Sequence, residues 1–344
     1  MKEIRTEDAV GHILCHDITQ IIKDEKKGVL FKKGHVVKEE DIPLLLSVGK
    51  EHLFVWEKKT GILHENEAAE ILYKICAGNS SKVHGTEIKE GKIEMVSKID
   101  GILKIRRDAL VAVNSLGEMM IASRHGDFPI KKGDKVAGTR IIPLVIEKEK
   151  MDAAEKAAGN LPIFDILPYQ QKKVGIVTTG SEIKKGLIRD TFTLVLREKL
   201  SGFPTEVTGQ VMPGDDKEEI TKAILSFADA GADLIICTGG MSVDPDDRTP
   251  GGIRDTGAKI VTYGAPVLPG AMLLVAYLER NGRSIPVLGL PGCVMYAKRT
   301  VFDLILPRVM ADDEIKAEEI ARLGEGGLCL NCPVCTFPNC GFGK

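Results

Sequence analysis

The sequence lacks the features that mark nucleic-acid-binding, secreted and membrane-spanning chains. Its 47 Lys and Arg residues and 49 Asp and Glu residues leave a net charge of −2, so there is no excess of positive charge to attract a phosphate backbone. The first residues, MKEIRTED, carry charges where a secretory signal has an apolar centre. Apolar runs such as AMLLVAYL (Ala271–Leu278) are far shorter than the roughly 20 residues that span a bilayer. We therefore expect a cytoplasmic protein that binds neither nucleic acid nor membrane.

Two common nucleotide-binding fingerprints are also absent. The sequence contains neither G-x-G-x-x-G nor G-x-x-x-x-G-K-[ST], which disfavours a dinucleotide-dependent dehydrogenase and a P-loop ATPase. The seven histidines all precede residue 173 and none is paired with a cysteine at metal-ligand spacing, so we assign them no role.

The organisation of the chain changes at Lys173. From there, short apolar segments such as VGIVT, LIIC and SIPVLGL alternate with amphipathic segments, which predicts an α/β domain with a doubly wound, mainly parallel sheet. A mixed, β-rich region is expected before this domain and a cysteine-rich tail after it. At 344 residues the chain can hold several cores. We predict a mixed α/β segment, a β-rich segment, a helical linker, the α/β domain and the tail, at 1–84, 85–150, 151–172, 173–322 and 323–344.

Three predicted strands of the α/β domain end on glycine-containing turns. These turns are TTGSE (178–182), CTGGMS (237–242) and GLPGC (289–293). The carboxyl ends of parallel strands share one edge of a sheet, where ligands of such folds bind. Glycine allows backbone N–H groups to approach an oxyanion closely, and Ser181, Thr238 and Ser242 add hydroxyl donors. The three turns together predict a site for a phosphate-bearing ligand.

Three carboxylates follow the second of these turns. Asp244, Asp246 and Asp247 lie in the stretch SVDPDDRTP. A pair of carboxylates suits Mg²⁺, which prefers oxygen ligands and often bridges protein to substrate phosphates. The alternative is a solvated loop in which Pro245 holds Asp244 extended. The position directly after a strand-ending Gly-Gly favours the cation site.

Residues Lys173–Met310 resemble the domain shared by the MoeA and MogA families of molybdenum-cofactor biosynthesis. TGSEIKKGLIRD is similar to the MoeA signature T-G-D-E-L…G…D-S-N, which places Asp190 at its aspartate and Phe192 at its asparagine. GGMSVDPDD resembles G-G-V-S-V-G-x-x-D of MoeA, and DDRTPGGIR resembles R-D-V-T-P of MogA; Asp247 is the acid that both share. GLPG matches the start of the MoeA motif G-L-P-G-N-P. The segments DAVGHILCHDIT and FKKGHVVKEEDIPLLLSVG resemble the front of MoeA more loosely.

The resemblance implies a molybdopterin site with Mg²⁺. Asp247 and Asp190 are then the expected catalytic residues, and Asp247 with Asp246 the expected magnesium ligands. Asp190 as a helix cap, Glu182 as a helix-start acid and close packing at GLPG are the structural alternatives. The residues expected to bind molybdopterin are Thr179, Gly180, Ser181, Glu182, Thr238, Gly239, Gly240, Ser242, Asp244, Thr249, Pro269, Gly270, Gly289, Pro291 and Gly292.

The chain departs from the MoeA pattern at its basic motif. Where MoeA proteins carry K-P-G-K-P, this chain has Val267 and Met272 at the cationic positions, and Cys293-Val294 replaces N-P after GLPG. The intact acids favour an enzyme that transfers molybdenum or adenylate on molybdopterin. The missing lysine and asparagine favour a non-catalytic carrier that hands molybdopterin to a molybdoenzyme. The resemblance implies molybdopterin or its adenylate, a molybdoenzyme and a second copy of the chain as partners.

The tail contains four closely spaced cysteines. CLNCPVCTFPNC has the spacing C-x₂-C-x₂-C-x₄-C and places Cys329, Cys332, Cys335 and Cys340 within twelve residues. In a reducing compartment such a cluster indicates metal rather than disulfides. Its first three cysteines resemble the run of cluster ferredoxins, which favours [4Fe–4S], whereas structural Zn²⁺ usually binds two separated C-x₂-C pairs. A thiol tail without metal is the third alternative.

Overall fold

The computed structural model of the protein describes residues 2–22, 26–55, 61–187 and 189–344. The chain divides into two compact units. The first unit comprises residues 1–99, 104–124 and 132–165, and the second comprises 100–103, 125–131 and 166–344. Within the described residues, no helix combines the length and the apolar character needed to cross a membrane.

The chain up to residue 168 forms short strands and four helices among the described residues. The strands are β1 (Lys2–Arg5), β2 (Ile18–Ile22), β3 (Lys26–Phe31), β4 (His52–Val55), β5 (Ile62–His64), β6 (Val83–Gly85), β7 (Lys92–Ser97), β8 (Gly101–Ile105), β9 (Met119–Ser123), β10 (Pro129–Ile130), β11 (Lys135–Ile141), β12 (Val145–Glu147) and β13 (Phe164–Pro168). The helices are α1 (Ile42–Ser47), α2 (Glu65–Ala77), α3 (Arg107–Asn114) and α4 (Lys148–Ala158). In the first unit, β6, β7, β11 and β9 pair in that order into an antiparallel sheet, and β1–β4, β2–β3 and β5–β12 form pairs.

The second unit is built on a six-stranded sheet. Its strands are β14 (Lys172–Thr178), β15 (Thr205–Val211), β16 (Leu234–Thr238), β17 (Lys259–Tyr263), β18 (Leu274–Arg280) and β19 (Arg283–Leu290). Their order is β15-β14-β16-β19-β18-β17. The first four strands are mutually parallel, and β18 and β17 add antiparallel pairings at one edge. The predicted α/β fold with a mainly parallel sheet is therefore confirmed.

Helices cover both faces of this sheet. They are α5 (Ser181–Lys184), α6 (Phe192–Leu200), α7 (Lys217–Asp229), α8 (Thr249–Asp255), α9 (Val301–Met310) and α10 (Ala317–Arg322). Because neighbouring strand residues point to opposite faces, Ile236 packs in the core with α6 and α9, and Ile235 packs in the core with α7 and α8. Burial on both faces explains why β14 and β16 read as continuous apolar runs.

Two helix starts differ from the sequence pattern. The pattern predicts Asp215 and Glu218 as a capping pair, but Asp216 is the cap of α7 and its Oδ1 accepts the Glu219 N–H at 2.9 Å. The Asp215 carboxylate instead accepts the Ser181 N–H at 2.8 Å. The last long helix, which the pattern predicts over Met295–Met310, begins only at Val301.

The later start of α9 has a local cause. Thr300 caps this helix: its Oγ1 accepts the Phe302 N–H, and the Asp303 carboxylate accepts the Thr300 N–H at 2.8 Å. This reciprocal pair is a capping box, which fixes a helix start. Before it, Gly292–Met295 forms a short 3₁₀ helix directly after β19.

Candidate functional site

A cavity of about 630 Å³ opens at the carboxyl ends of the parallel strands. The ends of β14 and β16 contribute Thr178 and Thr238, and the 3₁₀ helix after β19 contributes Gly292 and Met295. All lining residues belong to the second unit. They are Thr178, Thr179, Gly180, Glu182, Arg189, Asp190, Thr191, Phe192, Asp215, Thr238, Gly239, Gly240, Asp244, Pro245, Asp246, Asp247, Gly292 and Met295.

One hydroxyl on this cavity has no protein partner. Thr238 is fully buried, and its Oγ1 makes no hydrogen bond within the described residues. Buried hydroxyls are nearly always hydrogen-bonded, because the loss of water without a replacement partner costs about 1–3 kcal/mol. Thr238 is thus a cavity-lining residue whose buried hydroxyl has a hydrogen bond left to make.

The neighbouring hydroxyls hold the turn together instead. Thr179 Oγ1 and Thr249 Oγ1 lie 2.9 Å apart, and Thr249 Oγ1 donates to the Gly239 carbonyl oxygen at 2.8 Å. Thr249 does not line the cavity. It contributes by fixing the backbone of the Gly239-Gly240 turn.

Two glycines at this edge have packing reasons of their own. Gly239 has a φ of +82°, and a Cβ there would lie 2.3 Å from the Thr179 carbonyl oxygen. A Cβ on Gly289 would lie 2.6 Å from the Met241 Cε, which supports the close-packing alternative for this residue. The positive φ and the lack of space require glycine at 239 whether or not a ligand is bound.

Asp190 is engaged by its own helix. Its Oδ1 accepts the N–H groups of Phe192 at 2.9 Å and Thr193 at 3.2 Å, and its Oδ2 accepts Gln210 Nε2 at 2.6 Å. Burial would raise the pKa of this carboxyl, but these hydrogen bonds outweigh it and the pKa is lowered. With both oxygens occupied, Asp190 positions α6 at the rim of the cavity, which is the helix-cap alternative.

The acidic loop faces the cavity as a turn. The Asp247 carboxylate accepts the Asp244 N–H at 3.3 Å, and the Asp247 N–H donates to the Asp244 carbonyl oxygen at 2.9 Å. Asp246 is exposed on the same loop. Throughout the described ranges, no group of three or more His, Cys, Asp or Glu side chains is arranged to hold a metal ion. Magnesium commonly uses only one or two protein carboxylates and takes its other ligands from water and phosphate, so the loop fits Mg²⁺ chemically.

The cavity gathers only part of the expected set. Ser181, Ser242, Thr249, Pro269, Gly270, Gly289 and Pro291 do not line it. Gly270 has a φ of +129°, and a Cβ there would lie 2.5 Å from Val301 Cγ1. Aligned on Pro269-Gly270, the lysines of K-P-G-K-P fall at Leu268 and Ala271 rather than at Val267 and Met272, and neither residue is basic.

The sequence interpretation missed several lining residues, of which Arg189 is chemically the most informative. It is an exposed guanidinium on the loop between α5 and α6, and it gives this cavity a cation that does not come from the K-P-G-K-P position. A basic residue directly before the capping Asp190 is the signal that could have indicated it. Thr178, Thr191, Phe192, Asp215, Pro245 and Met295 complete the missed set.

The four tail cysteines, Cys329, Cys332, Cys335 and Cys340, all line a second cavity of about 210 Å³. All four are free thiols. The pKa of Cys335 is lowered, first by the Phe337 backbone N–H and then by the Arg299 side chain.

All residues that line the first cavity lie within a segment that matches a known family. Residues 175–311 match the family described as a probable molybdopterin binding domain. Residues 3–57 match a family described only as a domain of unknown function.

Curated relatives match about half of the chain. A molybdopterin molybdenumtransferase of Haemophilus influenzae is 28% identical over 189 residues, which are 52% of this chain and 43% of the relative. A molybdopterin molybdenumtransferase of Nostoc sp. is 31% identical over 186 residues, which are 51% of this chain and 41% of the relative. The chain thus spans less than half the length of these relatives. Among solved structures, the molybdopterin biosynthesis enzyme MoaB of Thermus thermophilus matches with a TM-score of 0.33 and 27% identity, over 40% of this chain and 91% of that one.

Proposed function

We propose that this chain binds molybdopterin at the carboxyl ends of β14, β16 and β19 and acts in the biosynthesis or maturation of the molybdenum cofactor, because residues 175–311 match the family described as a probable molybdopterin binding domain. The observation that carries the proposal is the hydroxyl of the cavity-lining Thr238, which is buried and has no protein partner among the described residues. A phosphate or pterin oxygen accepts a hydrogen bond from it and removes its desolvation penalty.

The lining residues divide into three roles in this proposal. The turns Thr179-Gly180 and Thr238-Gly239-Gly240 present backbone and hydroxyl groups to the phosphate, as strand-end glycine turns do in other α/β folds. Arg189 supplies positive charge to the ligand anion. Asp246 and Asp247 supply the carboxylate oxygens for Mg²⁺, with Asp244 fixing their turn through its backbone.

In the catalytic form of the proposal, the chain transfers molybdenum or an adenylyl group on molybdopterin. Asp246 and Asp247 would hold Mg²⁺, which would offset negative charge on the transferred group. The protein groups then bind and orient the substrate: Thr238 donates to an oxygen, and Arg189 holds the anion at the rim. Asp190 keeps the start of α6, and with it the cavity-lining Phe192, in place.

A second function is favoured by one observation. Leu268 and Ala271 flank Pro269-Gly270 where the MoeA motif K-P-G-K-P has its two lysines, so no cation reaches the ligand from that segment. In this alternative the chain is a carrier that binds molybdopterin and hands it to a molybdoenzyme without chemistry of its own.

The binding test removes the Thr238 hydroxyl and keeps the shape of the side chain. Thr238→Val should lower molybdopterin affinity at least tenfold, because one hydrogen bond to a charged ligand is worth about 1.5–3 kcal/mol. Thr208→Val is the matched control: its Oγ1 donates to the Val174 carbonyl oxygen at 3.3 Å, away from the cavity. Affinity is measured from the fluorescence of the oxidised pterin released after equilibrium binding. Equal affinity of the Thr238→Val protein and the parent would refute the proposed site.

The choice between enzyme and carrier rests on Asp247. If the chain is catalytic, Asp247→Asn should reduce Mg²⁺-dependent turnover at least tenfold while pterin affinity without metal changes little. Asp255→Asn, which lies outside the cavity and pairs with Lys217, is the control. A parent protein that binds the pterin and shows no turnover with molybdate and Mg²⁺ would favour the carrier.

A further inference from the structure

The four tail cysteines share one cavity that the pterin proposal does not use. They line the same cavity of about 210 Å³, together with the side chains of Lys298 and Arg299 and the ring of Phe337. None lines the cavity at the strand ends. As the side chains stand in the described part of the chain, they are not gathered closely enough to form a metal site.

The fold holds this cysteine segment in place at both ends. At its start, the Cys329 N–H donates to the Leu268 carbonyl oxygen and the Leu268 N–H donates to the Gly327 carbonyl oxygen, each at 2.8 Å. At its end, Phe342 is 4% exposed and packs in the core with α6 and α9. The cysteines between these anchors are thus restricted to one side of the second unit.

Two basic residues adjoin the cavity. Lys298 Nζ donates to the carbonyl oxygens of Cys332 at 3.3 Å and Pro333 at 3.1 Å, which fixes the turn between the second and third cysteines. Arg299 lines the cavity with Cys335 and lies over the Phe337 ring, with its Cζ 5.0 Å from the ring centroid, while its Nη1 donates to Asp303 Oδ1 at 2.8 Å. Positive groups at this position offset the negative charge that four thiolates carry around a divalent ion or an iron–sulfur core.

From this juxtaposition we propose that the four tail cysteines together bind one thiophilic metal centre, with Lys298 and Arg299 as its positively charged surround. Four thiolates from one short segment are the donor set of Zn²⁺ and of iron–sulfur clusters. Metal binding draws the four sulfur atoms inward and displaces a thiol proton from each. A metal-free site of this kind has free thiols around a cavity, as the four tail cysteines do.

The test is the metal content of the full-length protein, purified without air and with no pterin added. About four iron and four sulfide ions per chain, with absorption at about 400 nm, would support the proposal and identify an iron–sulfur cluster. One zinc ion per chain in a colourless protein would support it and identify a zinc site. Protein with neither metal should take up one of them when incubated with Zn²⁺, or with Fe²⁺ and sulfide, under reducing conditions. Failure to take up either would overturn the proposal.

Variants assign the metal to these cysteines. Cys332→Ser and Cys335→Ser replace the two exposed thiols, and each should reduce bound metal at least tenfold while circular dichroism stays that of the parent. Cys293→Ser, a cysteine outside the tail cavity, should retain full metal content. Retention of metal by the Cys332→Ser, Cys335→Ser double variant would place the metal elsewhere. If the tail cysteines formed disulfides even in protein purified with a reducing agent, the proposal would also be contradicted. None of these readouts depends on pterin binding, so the two proposals can fail separately.

Discussion

Single atoms determine the geometry of the turn between β16 and the acidic loop. Gly239 has to be glycine because its φ is positive and its missing Cβ makes room for the Thr179 carbonyl oxygen. The Thr249 hydroxyl then fixes the turn by donating a hydrogen bond to the Gly239 carbonyl oxygen. The turn at the cavity is thus held by hydrogen bonds within the protein, and Thr238 is the lining residue of the described chain whose buried hydroxyl has no partner.

Replacement of Gly239 should therefore destabilise the unliganded protein. We expect Gly239→Ala to lower the free energy of unfolding of the second unit by about 2 kcal/mol or more, because a non-glycine residue is strained at positive φ and its Cβ meets backbone. Gly292→Ala, where a Cβ meets nothing within 4 Å, should change it by less than about 0.5 kcal/mol. Urea denaturation of both variants without ligand checks this, and equal stability of the two would contradict it.

Asp190 should make a pH-dependent contribution to stability. Its pKa in the folded protein is lowered from the ordinary value of 3.8, so its ionised form stabilises the fold above that value and the contribution is lost as the pH falls through the folded pKa. We expect Asp190→Ala to cost about 1 kcal/mol at pH 7, as for other helix caps. The difference from the parent should shrink on acidification below about pH 4.

Denaturation of both proteins between pH 7 and pH 3 measures this difference. Asp246→Ala is the control, since this exposed carboxylate makes no hydrogen bond that would anchor a helix within the described residues. A stability difference for Asp190→Ala that stays constant over the whole range would show that its hydrogen bonds do not depend on ionisation.

At the level of elements, the sheet and its helices meet through complementary volumes. Gly175 on β14 leaves space for the ring of Phe227 on α7, where a Cβ would lie 2.4 Å from the ring carbon Cγ. A Cβ on Gly209 of β15 would lie 3.3 Å from the same ring. The seating of α7 on this face of the sheet thus depends on two glycines in neighbouring strands.

A double-mutant cycle tests this packing. Gly175→Ala should cost about 1–3 kcal/mol through overpacking against Phe227. Phe227→Leu should cost a similar amount through lost volume, and the double variant should be more stable than the sum of the two losses predicts. Strictly additive losses in chemical denaturation would mean that the two positions do not compete for the same space.

At the scale of the whole molecule, the tail is part of the second unit. Phe128, Phe337 and Phe342 have ring centroids 6.1 Å apart in successive pairs, and Phe342 is in the core with α6 and α9. The Gly343 N–H donates to the Gly326 carbonyl oxygen at 2.9 Å, so the end of the chain returns to the start of the tail.

Loss of this anchor should destabilise the second unit. Phe342→Ala should lower its free energy of unfolding by about 3–5 kcal/mol, as deletion of a buried aromatic ring does elsewhere. Val334→Ala, which removes a side chain that is 76% exposed on the same tail, is the matched control and should be nearly neutral. Hydrogen exchange of β14 and β16 provides the measurement. Unchanged exchange in Phe342→Ala would show that the tail is a separate module.

The sequence by itself determined the α/β fold of the second unit and the edge of the sheet where its candidate site lies. Periodicity and glycine turns are local signals, and the topology of a parallel sheet brings its strand ends together without further information. Alternating apolar segments indicated β14, β16 and β19, although the last long helix begins after Thr300, at a capping box that the apolar pattern concealed.

Only the tertiary structure decided which residues face the cavity and which hold its walls. Arg189 lines it from a loop and Met295 from the 3₁₀ helix after β19, whereas Thr249, Gly270 and Gly289 do not line it, because side-chain direction depends on contacts between segments distant in sequence. The same holds for Phe342, whose burial depends on α6 and α9 and is not encoded by the cysteine spacing around it. The local sequence pattern determines the strands and helices and their order. Packing between distant segments determines whether a side chain lies in the core, in a turn or at the ligand cavity.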